Sequence, residues 1–155
     1  MIRTLIIAIM ATLCSVCSYG QRSFFDKYAE MDGVTSVYIS KSMLSLLPKG
    51  NTNVNGINIG DIASRLDNIQ ILSADEQPIV DKLRKETSGI NTRNGYEELM
   101  RVREDGEKTT IYFKDGKKDK KEFVLLVDEK DEFTIISIVG DMTLQEIQGI
   151  VNNAE

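Results

Sequence analysis

A chain of 155 residues with 41% hydrophobic and 28% charged residues has the composition of one ordinary globular domain with its own core, which excludes wholesale disorder. Its 19 basic and 24 acidic residues give a net charge of −5, which argues against nucleic acid as a partner, because neutralising phosphate drives that affinity. It has no histidine, and its two cysteines are Cys14 and Cys17, so the usual neutral-pH acid–base groups, thiol nucleophiles and zinc ligands are missing from the body of the chain.

The first twenty residues differ from all that follow. Met1-Ile2-Arg3 is a short positive start, Leu5 to Val16 an uncharged apolar run, and Ser18-Tyr19-Gly20 places small residues before Gln21. That is the build of a secretory signal peptide over residues 1–20, with cleavage between Gly20 and Gln21. The run is shorter than the roughly 18–20 residues a membrane-spanning helix needs. A second reading makes Cys17 a lipidated cysteine, although Cys14-Ser15-Val16 is a weak lead-in to one. Cleavage after Gly20 would leave a single domain, 21–155, with no cysteine and, with Arg3 gone, a net charge of −6.

Ser23 can cap a short helix carrying Phe24, Phe25, Tyr28 and Met31, stopped by Asp32-Gly33. Val34 to Ile39 reads as a strand. Ser40 caps a second short helix, with Met43, Leu44 and Leu47, that ends at Pro48. Pro48 to Gly56 has the asparagine and glycine chemistry of a loop. Asn58 then caps a helix whose apolar face is Ile59, Ile62, Ala63 and Leu66. Asn68 to Leu72 is a short strand. Asp75 caps a longer helix with Pro78 in its first turn, Ile79, Val80 and Leu83 as its stripe, and Ser88-Gly89 as its end. Asn91 to Gly95 is another loop.

Four strands follow in succession. Glu97 to Glu104 and Glu107 to Lys114 are joined by Asp105-Gly106, a pair suited to the positive φ angles of a type I′ turn. Asp115-Gly116 opens a lysine-rich turn. Glu122 to Asp128 and Glu132 to Val139 are apolar on consecutive positions, as in strands covered on both faces or with one face kept for a partner. Gly140-Asp141 breaks the last strand. Thr143 to Glu146 is a capping box, with Met142 placed to staple onto Ile147 and Leu144, Ile147, Ile150 and Val151 facing inward. The expected fold is α+β: a mainly antiparallel sheet, with a four-stranded C-terminal meander, and helices packed on one face. With helices on one side only, Val124, Leu126, Thr134, Ile136 and Ile138, or their alternate set, would lie open.

No constellation carries chemistry on its own. No catalytic residue, cofactor-binding residue or metal ligand is assigned, and no cofactor is expected. Gly56-Ile57-Asn58-Ile59-Gly60 matches no complete phosphate-binding fingerprint. Lys114, Lys117, Lys118, Lys120 and Lys121 could meet anionic groups, but Asp115, Asp119 and Glu122 interleave, and a solvated hairpin tip is the better account. Asp128-Glu129-Lys130-Asp131-Glu132 lacks the alternating ligands and glycine of a calcium loop. The loop from Lys49 to Asn58 is the better candidate for binding.

Residues 25–41, Phe-Asp-Lys-Tyr-Ala-Glu-Met-Asp-Gly-Val-Thr-Ser-Val-Tyr-Ile-Ser-Lys, resemble the opening of a family of small exported proteins of Bacteroidota-type bacteria, the domain of unknown function numbered four-two-five-two. Ile69-Gln70-Ile71-Leu72, Glu132-Phe133-Thr134-Ile135-Ile136 and Gly140-Asp141-Met142-Thr143-Leu144 resemble its later blocks. The resemblance implies export, often with a lipid anchor, and assigns no catalytic residue. Taken together, the sequence points to a non-catalytic envelope protein, periplasmic or secreted, that binds another protein. It would touch a membrane only through a lipid on Cys17. A small-ligand carrier with a pocket between helices and sheet is the first alternative, and a carboxylate-dependent hydrolase the second.

Overall fold

The nine residues Leu66–Ala74 form the strand that joins the two halves of the chain, pairing with an N-terminal strand on one side and the last strand on the other. The computed structural model describes residues 24–47, 53–54, 57–116 and 120–146. In chain order these contain α1 (Phe24–Tyr28), β1 (Thr35–Ser40), α2 (Lys41–Leu44), β2 (Asn53–Val54), β3 (Ile57–Asn58), α3 (Ile59–Arg65), β4 (Leu66–Ala74), α4 (Gln77–Thr87), β5 (Glu97–Glu104), β6 (Glu107–Asp115), β7 (Lys121–Asp128) and β8 (Phe133–Gly140). A 3₁₀ turn, Thr92–Asn94, lies between α4 and β5. The main sheet is six-stranded and antiparallel, in the order β1-β4-β8-β7-β6-β5.

Local chemistry sets the element ends. Ser40 Oγ accepts the N–H of Met43 at 3.3 Å and starts α2. Asp105 and Gly106 take φ of 46° and 94°, the left-handed pair that closes β5 onto β6. Thr143 and Glu146 exchange hydrogen bonds: the Thr143 N–H donates to Glu146 Oε2 at 2.8 Å, and the Glu146 N–H donates to Thr143 Oγ1 at 3.3 Å. Ile147, the expected partner of Met142, lies outside the described residues, as do Ile150 and Val151 of the expected helix.

Three local expectations are corrected. Helix α4 begins after an extended Glu76, not at an Asp75 cap, and Glu76 makes no side-chain cap bond. Pro78 fills the first turn, so less of that turn needs capping. Strand β4 is longer than Asn68 to Leu72 because both of its edges are paired, which extends strand geometry past the apolar run. The stretch expected to be plain loop contains the short antiparallel pair of β2 and β3.

The larger correction concerns the helices, which lie against both faces of the sheet. On the first face, Phe25 and Tyr28 of α1 and Val80 and Leu83 of α4 pack with Leu72, Val124, Phe133 and Ile135. On the second, Leu44 of α2 and Ile62 and Ala63 of α3 pack with Phe123, Ile39, Ile69, Phe113 and Ile138. Strands β7 and β8 are apolar at consecutive positions, so each face has surface to bury. The proposed open set also fails as a single face. Val124 lies opposite Ser137 and Leu126 opposite Ile135, which puts them on the first face, whereas Thr134, Ile136 and Ile138 belong to the second.

The second cluster depends on a close backbone crossing. A Cβ on Gly140 would come within 2.7 Å of Leu66 Cα and 2.8 Å of the Arg65 carbonyl oxygen. Only glycine fits there. The crossing is tied by the Asp141 N–H to the Arg65 carbonyl at 3.1 Å and by Arg65 Nη1 to the Asp141 carbonyl at 2.8 Å. Arg65 also reaches Glu146, fastening the end of the described chain to α3.

Candidate functional site

Helices α2 and α3 cover only one end of the second face. Beyond the row Ile39, Ile69, Ile138, Phe123, Phe113 runs a second row in register across all six strands: Val37, Ile71, Ile136, Leu125, Ile111, Met100. At the usual spacing of about 4.8 Å between strands this row spans about 24 Å. Its ends are exposed, Val37 at 41% and Met100 at 37%, Ile71, Ile136 and Leu125 are half-buried, and Ile111 is buried. None of the six belongs to either core cluster of the described residues. The row beyond it is Thr35, Ser73, Thr134, Val127, Thr109, Val102, an apolar and hydroxyl border.

The two sheet edges differ. Strand β5 carries Glu97, Glu98, Arg101, Arg103 and Glu104 and is bulged between Glu98 and Met100, features that discourage another strand from pairing. Strand β1, Thr-Ser-Val-Tyr-Ile-Ser, has no charge and an unbroken register, with Tyr38 exposed.

The first face contains a cleft of about 570 Å³ where α1 and the turn after α4 stand over the sheet. Its walls are Phe24, Phe25, Ile90, Val124 and Val139, and its polar and charged residues are Asn68, Gln70, Glu86, Tyr96, Lys120, Lys121, Glu122 and Ser137. Glu122 is held from two sides: Tyr96 Oη donates to Oε2 at 3.0 Å, and Ser137 Oγ donates to Oε1 at 3.1 Å. Ser137 is buried, and burial, followed by the Glu122 charge, pushes the Tyr96 phenol well above its ordinary value. Lys114 Nζ stands 4.5 Å from the centre of the Tyr96 ring. Asn68 Oδ1 is buried and has no hydrogen-bond partner. Sequence reading missed this set, since Tyr96 and Ser137 lie 26 and 15 positions from Glu122. A broader groove of about 930 Å³ beside the β5–β6 turn is open and lined by charges of both signs, so it selects no ligand charge.

The regions singled out in the sequence have structural partners. Lys120 pairs with Asp67 at 2.7 Å, and this bond, with a second from Lys41, holds the Asp67 carboxyl below its usual range. Lys121 Nζ donates to the Met142 carbonyl at 3.0 Å, and Lys117 and Lys118 lie outside the described residues. The acidic turn is latched to α4. Arg84 Nε donates to Asp128 Oδ1 at 2.7 Å, Arg84 Nη2 reaches the Glu129 and Lys130 carbonyls, and Gln77 Nε2 donates to the Lys130 carbonyl at 3.1 Å. Among the described residues no three Asp or Glu are grouped to hold a metal ion, and no helix is long and apolar enough to cross a membrane. Cys17, Gly20 and Gln21 lie outside the described residues, as do the side chains of the loop from Lys49 to Asn58, apart from the backbone of β2 and β3.

A family model described as Domain of unknown function (DUF4252) matches residues 28–150. The chain belongs to this family. No curated protein and no solved structure matches it. The DUF4252 match runs from the last residue of α1 through every strand of the sheet, so the open apolar row falls within it, as does the cleft apart from Phe24 and Phe25.

Proposed function

We propose that the chain is an exported protein of the cell envelope, periplasmic or secreted, that binds another protein without catalysing a reaction. The observation that carries this is the apolar row from Val37 to Met100, left uncovered by α2 and α3. A continuous apolar band bordered by hydroxyl and charged residues is the surface a protein partner covers. Export rests on the positive, apolar and small-residue order of residues 1–20. Intact mass separates cleavage before Gln21 from lipidation at Cys17, the modification that would add an outer-membrane anchor.

The binding reading is tested with a photoreactive amino acid placed in the native host at Val37, Val127 or Val102, and at Asp105 as a control. Crosslinks to one distinct protein from the first three positions and none from Asp105 support it. Equal crosslinking from all four, or crosslinks only within the chain, count against it.

A second reading, a small-ligand carrier, is favoured by the cleft, whose volume falls in the range of about 300–1,000 Å³ usual for small-molecule sites.

A further inference from the structure

We propose that the outer edge of β1 pairs antiparallel with the same strand of a second copy of this chain, joining two six-stranded sheets into one. This goes beyond the protein-binding reading of the apolar row and does not depend on it.

Strand β1 ends the sheet, and β4 is its one neighbour there. An edge strand leaves every second N–H and C=O without a strand partner, and edges that stay free are guarded by charge, proline or a bulge. Strand β5 has two of these guards. Thr35–Ser40 has none, and its first four residues are exposed. Five of the nine large apolar side chains exposed among the described residues lie between 37 and 47: Val37, Tyr38, Met43, Leu46 and Leu47. Exposed apolar surface is thus concentrated on this edge and on the segment that leaves it, the mark of a contact surface.

Charge decides the occupant. The start of β1 is acidic. Glu30 and Asp32 are exposed there, and Glu76 Oε1 lies 3.2 Å from where a Cβ on Gly33 would stand. None of these three carboxylates belongs to an ion pair among the described residues. The end of β1 is basic, since Lys41 and Lys120 share the one carboxylate of Asp67, at 3.1 and 2.7 Å. A strand with an acidic start and a basic end is complementary to its own antiparallel copy, and two-fold symmetry makes the charge contact twice. Setting Val37 against Val37 puts Ser36 opposite Tyr38 and Thr35 opposite Ile39. That register keeps every side chain on its own face of the joined sheet and brings Asp32 of each copy to the Lys41 end of the other.

The rest of the fold allows this pairing. Helix α2 starts at the Ser40 cap and covers the second face at that end, so its two copies stand at opposite ends of the joint. The apolar rows meet at Val37 and continue into each other. The second copy adds beside the sheet and not upon it, so the row stays open. Two six-residue strands make a small contact, and association in the micromolar range is expected.

The test is sedimentation equilibrium of the purified protein from about 5 to about 500 µM, with amide hydrogen exchange over the same range. The expected result is a reversible dimer. Every β1 amide should exchange slowly at the high concentration, and alternate ones fast at the low. Tyr38→Lys, which sets like charges on either side of the axis, should weaken the dimer at least about tenfold. Asp32→Lys should weaken it at low salt and not at high salt, and Val102→Lys on β5 should leave it unchanged. A monomer at about 500 µM overturns the proposal and leaves the edge to a strand of a different protein. A dimer whose alternate β1 amides still exchange fast forms through another surface and also overturns it, as does loss of the dimer in Val102→Lys but not in Tyr38→Lys. The wild-type exchange decides by itself if a variant does not fold.

Discussion

Replacing Gly140 with alanine tests the crossing that joins the last strand to α3. The added methyl would meet Leu66 Cα at 2.7 Å and the Arg65 carbonyl oxygen at 2.8 Å, both main-chain atoms. Neither can turn aside as a flexible side chain would. Relief requires the 65–66 and 140–141 segments to separate, and that stretches the Asp141 N–H to Arg65 carbonyl bond, now 3.1 Å. Overpacking of this kind costs about 1–3 kcal/mol, and a backbone hydrogen bond is worth about 1 kcal/mol net. We expect Gly140→Ala to lose about 2–4 kcal/mol in urea denaturation followed by circular dichroism, with an unchanged m-value. Gly106→Ala is the control, because nothing lies within 4 Å of a Cβ there and only its φ of 94° opposes the change. A Gly140→Ala protein within 0.5 kcal/mol of wild type would show that the crossing is looser than drawn and refute the reasoning.

Arg84→Ala removes the latch on the turn between β7 and β8. It should destabilise by about 1–2 kcal/mol, discounted because both side chains of the Arg84–Asp128 pair are about a third exposed. Amide exchange at Glu129 and Asp131 should quicken, and unchanged exchange there would deny the latch. Glu146 gives a pH test. Burial raises its carboxyl pKa, but the Arg65 and Thr143 bonds outweigh it and hold the group below its ordinary value of 4.5. A carboxyl with a lowered folded pKa adds stability that is complete above the ordinary value and is lost as pH falls through the folded one. Thermal melts from neutral pH downward should therefore show a smaller loss of stability toward acid in Glu146→Gln than in wild type. Parallel curves for the two proteins would contradict this.

Features set by near neighbours were legible in the sequence. Asp105-Gly106 closes its hairpin, Ser40 caps α2, and Thr143 and Glu146 cap each other, because each needs only a few consecutive residues. Placing β4 between β1 and β8 depends on pairings far apart in the chain, and nothing in Leu66–Ala74 alone encodes its neighbours. The open face was misassigned for a related reason. Asp128 pairs with Phe133 across the turn 129–132, so even positions of β7 face odd positions of β8. Reading both strands on even positions merged two faces into one. The cleft was hidden because Glu122 reads as one more charge in the lysine-rich turn, and only the fold brings it to Tyr96 and Ser137.

The most direct test of the binding surface is methyl NMR of the purified protein with a soluble nitroxide added. The open row predicts strong broadening of the Val37 and Met100 methyls at its two ends and little broadening of Leu44, Ile62 and Leu66, which are buried in the second cluster. Protection of Val37 and Met100 equal to that of Leu44, Ile62 and Leu66 would mean that the row is already covered within the chain, and the protein-binding account would lose its surface.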